Sequence, residues 1–406
     1  MDINANLNEE HKILRQTVRD VVKQYVAPRA YEIDQDREYP EDIFKIFSDK
    51  GFFSILFPKT LGGSDLGTLG LAVTVEEVAR ACASSAQILV LSALTTWPLR
   101  ITNNENLINK IIPGVINGSL RGAFALTEPN ASSDLSTMVT KAKIKDGIYY
   151  LSGEKDFVSG STVADYFISF ARNEQGNMSS FFINMPNPGV IFLRRDEGMG
   201  IKGIPHCDWS FDNATTPEEN LLGNEGEGSN IARISMNAIQ PLLAARGLGS
   251  AEESLAFSRN YSLERKIYGD TLSELQAIQL YLADMAVNIS AARELTYKAS
   301  AMVDNNQFTT EEDAAYLNIA KVFSAKTAIN SADKAMQISG GHGYMEVHPL
   351  ERIYRDARHL KLYMGTDEVL KIRVAKSLLE TGMGIGSSVS RQSTEERTKR
   401  ELRDNK

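Results

Sequence analysis

The sequence contains very little cysteine. Cys82 and Cys207 are the only two cysteines in 406 residues, and they lie far apart in the chain. Small secreted proteins held together by disulfides carry cysteine at much higher density, and a zinc site needs several closely spaced cysteines and histidines. His206, next to Cys207, is the only neighbour of that kind. The composition therefore argues against a disulfide framework and against a bound metal.

The sequence also lacks an excess of positive charge and a long apolar run. Lysine and arginine number 44 and aspartate and glutamate 52, so the formal net charge is −8. Because proteins that bind nucleic-acid phosphates are usually basic, we expect no nucleic-acid partner. No apolar run approaches the roughly 20 residues of a membrane span, and the first ten residues, MDINANLNEE, do not resemble a signal peptide. We expect a cytoplasmic protein without a membrane span.

The spacing of apolar residues changes twice along the chain. From residue 8 to about 120 they recur every three or four positions, which predicts amphipathic helices. From 121 to about 222 they alternate and are interrupted by asparagine and glycine, which predicts an antiparallel sheet. The helical spacing then returns and holds to residue 379. The predicted fold class is therefore α+β, with more helix than strand.

The two helical sections and the end of the chain allow more detailed predictions. The continuous apolar run at 71–94 predicts at least one buried helix. Between residues 391 and 406 charged side chains dominate and Leu402 is the only large aliphatic residue, so we expect the tail at 383–406 to be disordered. The last helical section divides into four predicted helices that can pack as a bundle, at 229–264, 273–303, 310–338 and 367–379.

Several segments together resemble the acyl-CoA dehydrogenase family. In chain order they are FALTEPNASSD (124–134), GEKDFVSG (153–160), RKIYG (265–269), QAIQ (276–279), QISGGHGY (337–344), and LERIYRDAR (350–358) followed by MGT (364–366). Each segment alone is a weak signal, but the shared order covers residues 8–381. The resemblance implies an N-terminal helical domain (1–120), a central β-barrel-like domain (121–225) and a C-terminal four-helix bundle (226–382).

The resemblance implies FAD as cofactor and assigns residues around its ring. The backbone N–H groups of Leu126 and Thr127 would donate to the flavin, and Phe157 and Ser159 stand where tryptophan and threonine are commoner in the family. Phenylalanine keeps the apolar wall and serine keeps a hydroxyl donor. Ser133 matches a serine between the flavin and the thioester arm. We therefore expect the FAD ring site to be complete.

Other positions would contact the diphosphate and adenosine half of FAD, partly across a subunit interface. Arginine suits a diphosphate because its guanidinium is planar and permanently charged. Glycine lets the backbone approach a phosphate closely. The implied assembly is a homo-oligomer, most simply a tetramer. The implied contacts of this half are Arg265, Tyr268, Gln276, Gln337, Gly340, Gly341, Thr366 and Glu368, the last standing where many members have glutamine.

The family's proton-abstracting glutamate is missing. Met364 and Ile239 occupy the two positions at which members carry it, and neither side chain accepts a proton. Asp367 and Glu368 are close in sequence to Met364 but lie on the predicted flavin-diphosphate side. The helix predicted to line the site from the N-terminal domain, residues 84–97, contains no acid. The identity of any catalytic base stays open.

The group that polarises the thioester carbonyl is retained, because in this family it includes the backbone N–H of residue 364, which does not depend on the side chain. The implied substrate contacts are Ser133, Asn237, Gln240, Met364 and Gly365. Ala93, Leu94 and Ile239 suggest an uncharged acyl group. We assign four histidines to structural roles; they are His206, His342, His348 and His359.

Three functions remain open at this level. The first is an FAD-dependent dehydrogenase that oxidises the Cα–Cβ bond of an acyl thioester of CoA or of an acyl carrier protein, with an electron-transfer flavoprotein as acceptor. The second is a related flavoenzyme that eliminates a leaving group such as a sulfinate, or performs oxygen chemistry at the flavin. The third is a catalytically silent flavin-binding partner protein.

Overall fold

The computed structural model describes residues 7–384. All but the first two residues of the tail predicted at 383–406 lie outside this range. Among the described residues, no helix is both long enough and apolar enough to cross a membrane.

The N-terminal third is helical, as predicted. The side chain of Asn8 accepts a hydrogen bond from the His11 N–H at 2.9 Å and begins the first helix. The apolar run at 71–94 forms two buried helices, because Cys82 adopts an extended conformation (φ −153°, ψ 110°). The helices are α1 (Glu9–Val21), continued through a π-helical turn (Val22–Val26) into α2 (Ala27–Asp36), then α3 (Glu41–Asp49), α4 (Gly67–Ala81), α5 (Ala83–Ile101) and α6 (Glu105–Ile116).

The central section is a sheet. Its strands are β1 (Gly122–Ala125), β2 (Lys141–Lys145), β3 (Ile148–Ser159), β4 (Tyr166–Arg172), β5 (Met178–Asn184), β6 (Val190–Asp196), β7 (His206–Pro217) and β8 (Leu221–Leu222). They lie side by side in the order β6-β7-β3-β2-β4-β5-β8, with β1 also paired to β4. The prediction of a purely antiparallel sheet is wrong in one respect. β1 pairs with β4 in parallel, and β2 pairs with β4 in parallel at its first residue, Lys141. Both pairings are parallel because the chain crosses over before it enters β4.

Two pairings in this sheet gather segments that are distant in sequence. Ser159 at the end of β3 pairs with His206 at the start of β7. The N–H of Asp156, three residues earlier, donates to the carbonyl of Thr127 at 2.9 Å, which fixes the loop after β1 against β3. The segments predicted to contact the flavin ring therefore lie side by side.

The C-terminal section is the predicted helical bundle. The second long helix begins three residues later than predicted, because Leu272–Glu274 form a 3₁₀ turn and Leu275 is extended. The helix α11 was not predicted as a separate element. The elements are α7 (Gly228–Glu264), the short strands β9 (Lys266–Ile267) and β10 (Asp270–Thr271), α8 (Gln276–Asp304), α9 (Glu311–Ser339), α10 (Gly341–Tyr344), α11 (Leu350–Leu360) and α12 (Asp367–Thr381).

The bundle packs closely against the N-terminal helices. At Gly249 on α7, a Cβ atom would lie 2.1 Å from the Glu76 carbonyl oxygen of α4, so only glycine permits this approach. At the other end of α4, the Asp304 carboxylate accepts hydrogen bonds from the N–H groups of Thr68 (2.6 Å) and Leu69 (3.0 Å). The last residue of α8 therefore caps the first turn of α4.

We predict that Asp304→Ala lowers the free energy of unfolding by about 1–3 kcal/mol, because two helix N–H groups lose a charged acceptor. Asp333→Ala is the matched control, since Asp333 is exposed on α9. Urea unfolding of both variants followed by circular dichroism measures the difference. Equal midpoints for the two variants would show that the cap contributes nothing.

Candidate active site

The turn between α11 and α12 is held from two sides. Met364 has φ +51° and Gly365 has φ +103°. The Gln240 Nε2 of α7 donates to the Met364 carbonyl at 3.0 Å, and the Lys321 Nζ of α9 donates to the Gly365 carbonyl at 2.9 Å. The Met364 N–H makes no hydrogen bond to any residue in the described range. The turn thus presents a fixed, unused backbone donor.

The two carboxylates that follow this turn are engaged elsewhere. Asp367 is buried and lies 3.5 Å from the Lys321 Nζ and 3.7 Å from the Lys361 Nζ. Burial lowers the pKa of Lys321 to about 8 while the Asp367 charge opposes that change. Glu368 is exposed, and a hydrogen bond from its own backbone N–H lowers the pKa of its carboxyl. Thr366 caps the same helix through the Val369 N–H at 3.3 Å.

The predicted flavin turn also has unused donors. Neither the Leu126 N–H nor the Thr127 N–H is bonded to another described residue. The turn is nevertheless rigid, because the buried Glu128 carboxylate forms an ion pair with the Lys155 Nζ at 2.7 Å and accepts the Val139 N–H at 2.6 Å. Two adjacent backbone donors of a rigid turn are therefore unused by the described residues.

Beside this turn, β3 ends in an exposed aromatic ring and a buried hydroxyl. Phe157 is 57% exposed and has φ +54°. Its N–H donates to the Asp208 carboxylate at 3.0 Å. The Ser159 Oγ lies 3.0 Å from the His206 Nδ1. An isoalloxazine is a flat aromatic ring with acceptor atoms along its edge, so free N–H donors, a hydroxyl and an apolar wall fit it.

A chain of polar side chains connects Ser159 to the Met364 turn, and we call Gln87, His206, Arg246, His359 and Tyr363 the polar cluster. The His206 and His359 rings stack with centroids 5.6 Å apart, and the His359 and Tyr363 rings with centroids 4.7 Å apart. The Arg246 Nη2 lies 2.9 Å from the His359 Nδ1, and its Nη1 donates to the Gln87 Oε1.

Burial and charge keep both histidines neutral. Burial, with the Arg246 and Arg195 charges, lowers the pKa of His206 to about 4. Burial and Arg246 lower the pKa of His359 well below its usual value. Burial raises the pKa of Tyr363 to about 12. The prediction gave these two histidines structural roles, and the structure places both between Ser159 and Met364.

Other predicted contacts lie on an exposed face of the bundle. Tyr268 is 91% exposed, and neither Gly340 nor Gly341 has an atom within 4 Å of where its Cβ would be. The Tyr261 hydroxyl lies 3.4 Å from the His342 Nδ1, so the end of α7 and the short helix α10 lie together. The other exposed members are Arg265, Gln276 and Gln337. A side chain on this face is free to reach a second subunit.

The remaining predicted substrate residues differ in their surroundings. Ser133 is exposed, whereas Asn237 is buried and its Nδ2 donates to the Phe308 carbonyl at 3.2 Å. Ile239 is fully buried in the core, as are Ala93 and Leu94. These three side chains pack with other apolar residues in the interior.

Four side chains around this site were not predicted from the sequence; they are Gln87, Arg246, Lys321 and Tyr363. Arg246 lies in the run LLAARGLGS on α7, where every neighbour is small or apolar. A helix segment of small and apolar residues is usually buried, so a charged residue within it is expected to be buried as well. This pattern could have predicted that Arg246 is buried. No comparable signal exists for the other three, because their partners come from other helices.

Comparison with known proteins identifies the family. The models of the acyl-CoA dehydrogenase N-terminal, middle and C-terminal domains match residues 8–119, 123–214 and 226–379. An acyl-CoA dehydrogenase of Bacillus subtilis is 34% identical over 379 residues, covering 92% of this chain and 99% of the relative. The chain belongs to the acyl-CoA dehydrogenase family.

Solved structures agree with this assignment. The butyryl-CoA dehydrogenase of Megasphaera elsdenii has a TM-score of 0.88 and 33% identity, covering 94% of this chain and 100% of that one. An acyl-CoA dehydrogenase of Bacillus anthracis complexed with FAD has a TM-score of 0.87 and 27% identity, covering 93% of this chain and 68% of that one. The α+β fold is confirmed. The chain is an FAD-dependent oxidoreductase of the class that acts on CH–CH groups of acyl thioesters.

We predict that His206 causes part of the protein's loss of stability in acid. The folded pKa of about 4 lies below the ordinary 6.5, so the unfolded chain binds the proton first and stability falls as pH drops through this window. In His206→Asn this loss should shrink, by at most about 3 kcal/mol. Urea unfolding measured from pH 6.5 down to about pH 4 gives the loss of stability. We compare wild type with His206→Asn and with His342→Gln, a control at an exposed histidine. A loss unchanged in His206→Asn would contradict the assignment.

Proposed function

We propose that the chain binds an acyl thioester with its carbonyl oxygen on the Met364 N–H. The observation that carries this proposal is the free donor at Met364 in a turn fixed by Gln240 and Lys321. A preorganised donor stabilises the negative charge that develops on the carbonyl oxygen when a Cα proton leaves. When bound, FAD supplies the acceptor for the β-hydrogen as hydride.

The residues that would hold FAD fall into two groups. Leu126, Thr127, Phe157 and Ser159 would contact its ring, with Ser133 between the ring and the thioester arm. The exposed face would hold the diphosphate and adenosine of an FAD in a neighbouring subunit, which implies a homo-oligomer, most simply a tetramer. Arg265, Tyr268, Gln276, Gln337, Gly340 and Gly341 form that second group, and Thr366 and Glu368 join it at the start of α12.

The proposed reaction is oxidation of the Cα–Cβ bond of an acyl thioester of CoA or of an acyl carrier protein. Electrons would pass to an electron-transfer flavoprotein in the cytoplasm. We propose the domain limits 1–120, 121–225 and 226–382. A second candidate, elimination from an acyl thioester or oxygen chemistry at the flavin, is favoured by Met364 and Ile239 at the positions of the usual base and by the pairing of Asp367 with lysines.

We predict that Met364→Glu creates or raises dehydrogenase activity toward a simple acyl-CoA, because the donor, the Ser159 hydroxyl and the flavin site remain in place. A positioned general base contributes roughly 100- to 10,000-fold to the rate. Activity should increase with pH, since a partly desolvated carboxyl has a raised pKa and acts as a base only when ionised. Anaerobic mixing with a series of acyl-CoA chain lengths, following flavin absorbance, measures it.

Met364→Gln is the matched control, because it has the same shape as the glutamate variant without the charge. An FAD-loaded Met364→Glu protein that stays oxidised with every chain length would show a site rebuilt for other chemistry. Flavin reduction in wild type as fast as in the variant would show that another group already serves as the base.

We predict that the purified protein releases FAD and not FMN on denaturation, and that Arg265→Ala weakens FAD binding by about tenfold or more, equivalent to ~1.4 kcal/mol. The guanidinium would lose its pairing with the diphosphate. Lys266→Ala is the control, since Lys266 is an equally exposed neighbour. Flavin fluorescence titration gives the affinity and light scattering gives the mass. A monomer with full FAD affinity would contradict the role of this face.

A further inference from the structure

Arg246 is a fully buried cation without an anionic partner. Its side chain extends from α7 and is 0% exposed. Its hydrogen-bond partners are Gln87 and His359, both neutral, and its Nε has none. No carboxylate in the part of the chain that the structure describes forms an ion pair with it. The Asp356 charge acts on the pKa of Arg246 through space, against the effect of burial, but the Asp356 carboxylate accepts the Ile201 N–H at 2.6 Å and forms no ion pair with Arg246.

A buried charge without a counter-charge is costly. Removing an ion from water costs several kcal/mol even after the protein relaxes, and an opposite charge is the usual compensation. Burial lowers the pKa of Arg246 to about 10, which still leaves the guanidinium charged near neutral pH. The cation therefore persists, and its missing partner is an anion that residues 7–384 do not supply.

The groups around Arg246 also have unused hydrogen-bonding capacity. Because the Gln87 Oε1 accepts from Arg246, its Nε2 points elsewhere, and that atom is buried without a partner. The Tyr363 hydroxyl lies beside Ser159 and Gln87 but makes no hydrogen bond of normal geometry. Three donors, on Gln87, Arg246 and Tyr363, are thus available at one place, and acceptor-rich carboxylates suit such a set.

The position of this set relates it to the acyl group. Tyr363 directly precedes the Met364 donor, and Gln240, which holds that turn, is only six residues before Arg246, or about 9 Å along α7. On the other side, the stacked histidines reach Ser159. An acyl chain that starts at the Met364 N–H and lies along a ring at Ser159 would have the polar cluster beside its first few carbons.

We propose that the acyl group carries a carboxylate, which pairs with Arg246 and accepts a hydrogen bond from Gln87, so that the substrate is the thioester of a short dicarboxylic acid. This inference rests on the proposed binding of an acyl thioester. It replaces the expectation of an uncharged acyl group, which depended on Ala93, Leu94 and Ile239 in the core. Arg246 would be a specificity-determining residue, since its planar fork matches a carboxylate.

Calorimetric titration of the FAD-loaded protein with matched thioesters tests the proposal. Succinyl-CoA is compared with butyryl-CoA, and glutaryl-CoA with pentanoyl-CoA, so that each pair has equal carbon number and differs in the terminal carboxylate. We expect the dicarboxylic member of at least one pair to bind about tenfold more tightly or better. Arg246→Met should abolish this preference, Arg246→Lys should keep part of it, and Arg259→Met, an exposed arginine on the same helix, should keep all of it.

Each other outcome has a distinct meaning. If wild type binds both dicarboxylic thioesters no more tightly than their monocarboxylic partners, the proposed carboxylate is overturned. The proposed binding of acyl thioesters is then still supported. A preference that survives in Arg246→Met overturns the role of Arg246. Failure of all four thioesters to bind overturns the proposed function and this inference with it. If Arg246→Met does not fold, the wild-type comparison still decides the charge preference, and Gln87→Leu should weaken only the dicarboxylic thioesters.

Discussion

The site depends on one backbone turn, residues 363–366, and on the two side chains that fix it. A left-handed conformation at a non-glycine residue such as Met364 is costly and persists only where its surroundings enforce it. Gln240 from α7 and Lys321 from α9 provide that enforcement by taking successive carbonyl groups. The two bonds hold the peptide units that follow Met364. The Met364 N–H, on the preceding peptide unit, makes no hydrogen bond to another described residue.

The same turn also positions the groups on either side of it. It follows α11, which carries His359, and it begins α12, whose first turn is capped by Thr366. Two members of the polar cluster, His359 and Tyr363, therefore lie on the segment that leads directly into the donor at Met364. We propose that Met364, in place of a glutamate, and Arg246 are two features of the same site. The Met364 N–H would still polarise the thioester carbonyl, and Arg246 would place a positive charge beside the acyl chain.

Much of this molecule could be predicted from local patterns, and the exceptions have physical causes. The order of helical, strand and helical sections follows from the spacing of apolar residues, and six short segments in the family's order supported the family assignment. The parallel pairing of β1 with β4 is set by a crossover, which spacing does not encode. The late start of α8 arises from a 3₁₀ turn that retains helical spacing. The contact between His206 and His359 was not predicted, because they are 153 positions apart in sequence and become neighbours only through tertiary packing.

The Met364 N–H is proposed to polarise a bound thioester carbonyl whatever the side chain at 364. Isotope-edited infrared spectroscopy of a thioester labelled with ¹³C at its carbonyl, bound to the wild-type protein, measures this polarisation. A hydrogen-bond donor to the carbonyl oxygen weakens the C=O bond, so we expect a stretching frequency below that of the same thioester in water. A frequency equal to the value in water, with binding established in the same sample by calorimetry, would contradict it.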